Sequence, residues 1–124
     1  MMQEIKWADK VTKKDIQAAK EYLKLVFSPK GVEEAAAKLE KHRALIEKFK
    51  AKDVLRASHT QLLPETNEDV RAEFLKILKQ VPLVPVLLVR KNDGLVIADG
   101  YHRTCAAYYL NKESEVHCVL VGIE

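Results

Sequence analysis

The stretch Leu95-Val96-Ile97-Ala98-Asp99-Gly100-Tyr101-His102-Arg103-Thr104-Cys105-Ala106-Ala107-Tyr108-Tyr109-Leu110 decides the fold. Its first four residues are an unbroken apolar run, which reads as a short buried strand, and Thr104 to Leu110 reads as a helix. Only Asp99-Gly100 stands between them, which leaves no room for a loop. The spacing therefore predicts a helix from Gly100 to Leu110 that opens at the end of the strand, with Tyr101, His102 and Arg103 in its first turn. A helix opening leaves N–H groups without partners and carries partial positive charge, so anions bind there readily. Arg103 adds a permanent cation with a fork of donors suited to phosphate or carboxylate. His102 adds a donor that titrates near neutral pH. The same residues also admit a purely structural reading, in which Asp99 caps the helix, Gly100 makes a tight turn and Arg103 pairs with a neighbouring carboxylate.

Toward the N-terminus, Asn92-Asp93-Gly94 is a hairpin signal, and it ties Leu95–Ala98 to a second apolar run, Val86-Leu87-Leu88-Val89. Such a continuous run suits a strand covered on both faces. Pro82 and Pro85 flank it. Asn67 is placed to cap a helix reaching about Gln80, with Val70, Phe74, Ile77, Leu78 and Val81 inward. The mixed segment from Asp53 to Thr60 reads as a brief strand or turn, followed by a loop through Leu62-Leu63-Pro64. Toward the C-terminus, Glu115–Ile123 reads as a last strand.

The first part of the chain is helical in pattern. Thr12, with Asp15 three residues on, opens a helix through Phe27 that carries Ile16, Ala19, Leu23 and Val26 on one face. Ser28-Pro29-Lys30-Gly31 breaks it. A second helix is expected from about Val32 to Phe49, with Val32, Ala35, Ala36, Leu39, Ile46 and Phe49 as its stripe and His42 at the stripe's edge. The two helices form a hairpin over residues 1–50, packed on an α/β body with a small mixed sheet over residues 51–124. Trp7 is expected to anchor the N-terminus to that body.

The totals set limits. A chain of 124 residues with 48% hydrophobic and 31% charged residues suits one globular domain. No apolar stretch is long enough to span a bilayer, and Met1 to Lys10 lacks the apolar core of a signal peptide, so a cytoplasmic protein is expected. The net charge of +3, from 21 basic and 18 acidic residues, does not demand nucleic acid. The densest basic patch, Lys48, Lys50, Lys52 and Arg56, reads more naturally as a solvated face than as a phosphate track. Cys105 and Cys118 fall in apolar settings and read as buried thiols; no ligand cluster of metal-binding spacing is visible, so no metal site is expected.

From about Ala51 onward the chain resembles the ParB/sulfiredoxin superfamily. The resemblance rests on Val54-Leu55-Arg56, Pro85-Val86-Leu87-Leu88-Val89, Asn92-Asp93-Gly94, Ile97-Ala98-Asp99-Gly100-Tyr101-His102-Arg103 and Ala106-Ala107. It implies that the phosphates of a nucleotide sit at the helix opening on Gly100, His102 and Arg103, with Tyr101 and Thr104 in the same turn and Arg56 approaching from the first segment. It also implies a nucleoside triphosphate with magnesium, and Asp99 or His102 as base for phosphoryl transfer or nucleotide hydrolysis. Sulfiredoxins carry a cysteine where this chain has Tyr101, so sulfiredoxin chemistry is not expected. Partition proteins of the ParB type continue into a helix-turn-helix and a dimerisation region beyond the point where this chain stops, so a DNA clamp is not expected either. Free-serine kinases of the superfamily share an Asp-Gly-x-x-Arg pattern, matched by Asp99, Gly100 and Arg103. The alternative to a nucleotide enzyme is a non-catalytic module of the same fold, docking a protein partner through the helices of Met1–Phe49.

Overall fold

Three helices begin with side-chain caps, two of them where the sequence places helix starts and the third, at Ser28, within the stretch read as a breaker. Thr12 and Asp15 form a reciprocal capping box, Ser28 accepts from the Gly31 N–H with Pro29 at the first helical position, and Asn67 accepts from the N–H groups of Asp69 and Val70. A computed structural model describes residues 3–124. It contains α1 (Lys13–Leu23), α2 (Pro29–Lys41), β1 (Glu47–Lys50), α3 (Ala51–Ala57), α4 (Glu68–Leu78), β2 (Val86–Lys91), β3 (Gly94–Asp99), α5 (Tyr101–Leu110) and β4 (Glu115–Ile123). The strands form one four-stranded mixed sheet in the order β1-β4-β2-β3. Strand β4 runs parallel to β2, from Val86↔Cys118 to Lys91↔Ile123, and antiparallel to β1. The class is α/β, as expected from the sequence.

Both faces of the sheet are covered, which is why β2 reads as an unbroken apolar run. On one face Leu87, Val89, Ala98, Val119, Val121 and Ile123 pack against Ile16, Ala19 and Leu23 of α1 and Val32, Ala35 and Leu39 of α2. On the other, Val86, Leu88, Ile97, Val116 and Cys118 pack against Ala51 and Val54 of α3 and Ala107 of α5. Helix α4 lies outside α5, through Val70 and Ile77 against Cys105 and Ala106.

Three expectations are corrected. Helix α1 stops at Leu23, so Val26 lies beyond it and is 43% exposed. Helix α2 stops at Lys41, with His42 as its C-cap, and does not continue to Phe49. His42 and Arg43 stand three and four residues after Leu39, where the stripe needs an apolar residue, so it is broken there, and β4 takes up residues 47–50 as a partner strand, from Glu47↔Cys118 to Lys50↔Glu115. The segment read as a strand or turn opens with α3 instead, where Ala51, Val54 and Leu55 are buried at helical spacing. Residues 1–50 are thus more than a helical hairpin on a finished body, because they cover one face of the sheet and supply one of its edges.

Trp7 does tie the N-terminus down. It bridges to Leu83, and its ring stacks on His117 at 5.1 Å between centroids and an interplanar angle of 11°. The Ala8 N–H donates to the Leu83 carbonyl at 2.8 Å, and the Leu83 N–H donates to the Lys6 carbonyl at 2.8 Å. His117 holds its proton less tightly than an ordinary histidine, first through lost hydration and then through the charge of Lys48, with Glu115 opposing. The sign follows from linkage. Below about pH 6.5 the unfolded chain takes up a proton that the folded imidazole still refuses, so stability falls as pH drops through that value. The fall continues until the folded-state imidazole titrates. Melting curves between pH 8 and pH 5 should show a larger loss for the wild type than for His117→Phe, which keeps the stack and removes the titration; parallel curves would rule the device out.

Candidate anion site at the opening of α5

Strand β3 runs into α5 through Gly100 alone. Gly100 takes φ +107°, a conformation L side chains rarely adopt, and a Cβ there would lie 2.9 Å from Arg103 Nη2 and 3.0 Å from Val86 Cγ2. Glycine is required twice over, by backbone and by space. Gly100 is also the N-cap, and no side chain caps the helix, so Asp99 does not play that part. The first intrahelical bond is from the Thr104 N–H to the Gly100 carbonyl at 2.9 Å. The N–H groups of Tyr101, His102 and Arg103 find no acceptor among the described residues. An uncapped opening of a ten-residue helix, with three free donors, can receive an oxyanion.

The side chains of this turn divide into those that face the opening and those that support it. Asp99 accepts from Arg103 Nη2 at 3.4 Å, which is the neighbouring-carboxylate pairing that the spacing also allowed. The Arg103 side chain is only 13% exposed, and its Nε is buried without a partner. Its charge therefore acts on the opening from behind, tied to Asp99. The Thr104 hydroxyl is buried and donates to the Gly100 carbonyl at 2.8 Å, so it is spent inside the helix. The Tyr101 hydroxyl donates to the Gln61 carbonyl and pins the segment after α3; burial holds its pKa above the usual tyrosine range. His102 is more open, with Nε2 3.7 Å from Asp69 Oδ2, beyond hydrogen-bond reach, and its ring 5.6 Å from that of Tyr101.

A groove of about 440 Å³ lies against this turn. Residues Leu95 to His102 form its floor, Ala18, Tyr22 and Val26 one wall, and Ser58 and Thr60 the other. Asp99, Gly100, Tyr101 and His102 come together here. Arg56 does not join them. It is 83% exposed on α3, pairs with Asp53 at 3.2 Å, and lines a separate groove of about 360 Å³ with Lys50 and Lys52. That basic patch is only partly neutralised, since Lys50 and Lys52, each 3.0 Å from a Glu113 oxygen, share one carboxylate. Hydrogen bonding from Lys52 and Lys50, with their charges, holds the Glu113 carboxyl below the usual carboxylate range.

Sequence reasoning missed Tyr22, Val26, Ser58 and Thr60. Tyr22 could have been suspected as an aromatic residue off the inward face of α1, whereas spacing assigns Val26 to that face, and Ser58 and Thr60 carry no signal until the chain folds. No group of three or more His, Cys, Asp or Glu side chains is placed to hold a metal among the described residues. Burial pushes the Cys105 thiol up, and that of Cys118 up to about 12, so neither is a ready nucleophile. Comparison with family models, with curated proteins and with solved structures finds no match for this chain.

Proposed function

We propose that this protein is a binding module for a small oxyanion-bearing ligand, with the phosphates of a nucleotide as the group received at the opening of α5. The observation that carries this reading is the trio of unpartnered N–H groups on Tyr101, His102 and Arg103 at the edge of a groove. The resemblance to the ParB/sulfiredoxin superfamily over the same residues supports it. Tyr22 and Val26 offer an apolar wall for a nucleoside, and His102 offers a donor beside the phosphates. In this reading Gly100 shapes the opening, while Tyr101, Thr104 and the Asp99–Arg103 pair hold it in place. Asp99 is the carboxylate lining the groove, so it is the residue that magnesium carried by the phosphates would meet. Turnover would need His102 or Asp99 to take a proton from the acceptor or from water. The module works in the cytoplasm, which cell fractionation checks.

The test is calorimetry and thermal shift with ATP, ADP, CTP, GTP and inorganic phosphate, with magnesium, on the wild type, His102→Ala and Tyr22→Ala. One nucleotide at a hundred times its Kd should stabilise the fold by about 2.7 kcal/mol. Each substitution should weaken that ligand about tenfold, since each removes a contact worth roughly 1.4 kcal/mol. Silence from a folded protein across the whole panel removes the reading. Nucleotide consumption that depends on His102 would separate an enzyme from a binder. A second reading, docking of a protein through the N-terminal helices, is favoured by Tyr22, Leu25 and Val26, which are 47%, 85% and 43% exposed at the end of α1.

A further inference from the structure

The sheet has two edges, and they are protected unequally. Strand β1 carries Glu47, Lys48 and Lys50 among its four residues, the charge that natural sheets use to discourage pairing. Strand β3 presents Leu95-Val96-Ile97-Ala98 with neither charge nor proline, and its one charged residue, Asp99, stands at the end of the strand paired with Arg103. The turn Asn92-Asp93 closes on the pair Lys91↔Gly94, followed by Arg90↔Leu95, Val89↔Val96 and Leu88↔Ile97. Antiparallel alternation from a two-residue turn directs the N–H and C=O groups of Gly94 and Val96 toward β2 and those of Leu95 and Ile97 outward. The outward groups find no partner among the described residues.

The groove beside α5 runs along this edge. Its floor includes Leu95 and Ile97, whose side chains join the α3/α5 face, and Val96 and Ala98, which join the α1/α2 side of the sheet. A groove lying on one face of the sheet could not touch both sets. The two helical layers overhang the open edge, and the free N–H groups of α5 close its end.

We propose that this edge docks an extended peptide, which adds to the sheet as a strand alongside β3 and delivers its free C-terminal carboxylate to the opening of α5. The inference rests on the reading of that opening as an oxyanion receiver and gives it a peptide carboxylate, in place of a phosphate, as the group received. Charge complementarity sets the direction: the carboxylate belongs at the positive end of α5, which follows the C-terminal end of β3, so the peptide runs parallel to β3. Alternation along a strand then directs one set of peptide side chains toward Tyr22 and Val26 and the other toward Ser58 and Thr60. The peptide should therefore alternate apolar and small polar residues over its last positions.

The experiment selects a randomised hexapeptide pool with free C-termini against the full chain. Enriched peptides are then measured by fluorescence polarisation as acid, as amide, and with each backbone amide N-methylated in turn. The amide should bind at least tenfold more weakly than the acid. N-methylation should abolish binding at alternate positions only, a pattern that side-chain docking does not produce. Leu95→Pro removes an outward N–H at an edge where proline is tolerated and should cost tenfold or more, as should Tyr22→Arg in the exposed wall. The methylation pattern, read on the wild-type protein, stands even where a variant fails to fold. No enrichment from the pool overturns the inference; if a nucleotide nevertheless binds, the oxyanion reading survives it. Equal binding of acid and amide overturns the inference as well, and the oxyanion reading falls with it only if the nucleotide panel is also silent.

Discussion

Gly100→Ala should destabilise the protein by about 2–5 kcal/mol, from a strained positive φ together with overpacking of a closed space. The added Cβ would meet Arg103 Nη2 at 2.9 Å and the two methyls of Val86 at 3.0 and 3.1 Å. Val86 is fully buried in β2, so it cannot step aside without disturbing the sheet. Against a total stability of about 5–15 kcal/mol for a domain, such a loss is large. Urea denaturation should show the midpoint falling with little change in slope. A midpoint within error of the wild type would mean that Gly100 is not held in this conformation. The substitution should also disturb the Asp99–Arg103 pair, because the clash falls on the same guanidinium nitrogen.

Residues 51–124 alone should not fold. Removing the first fifty residues strips β1 from β4 and takes away Val11, Ile16, Ala19, Leu23, Val32, Ala35 and Leu39. Leu87, Val89, Val119, Val121 and Ile123 would then face water from one side of the sheet. Exposing five such residues, at about 1.5–3 kcal/mol each, costs on the order of 10 kcal/mol, as much as a domain's whole stability. The truncated chain should give a non-cooperative melt and a poorly dispersed NMR spectrum. A cooperative melt with a dispersed spectrum would show that the covering helices are dispensable. This result matters for function as well, since Tyr22 and Val26 of the groove wall belong to the removed part.

The amino-acid sequence by itself determined the local pieces whose physics is local. A strand that meets a helix with only Asp99-Gly100 between them has few conformations open to it, so the opening of α5 and its donors were legible before folding. The caps at Thr12 and Asn67 were legible because each satisfies backbone groups within three residues of itself. The double-sided burial of Val86–Val89 was legible from an apolar run with no polar face. Tertiary structure decided the rest. Glu47–Lys50 is a strand because β4 offers an unpaired edge, a partner that lies far along the chain. Arg56 stands apart from the α5 opening because α3 is a helix whose buried Ala51, Val54 and Leu55 leave it facing solvent. Tyr22 and Val26 wall a groove with β3 and the segment after α3 through packing between elements distant in sequence. Spacing along a chain reports which groups can satisfy one another nearby; which distant groups end up facing one another is settled only when the covered sheet closes.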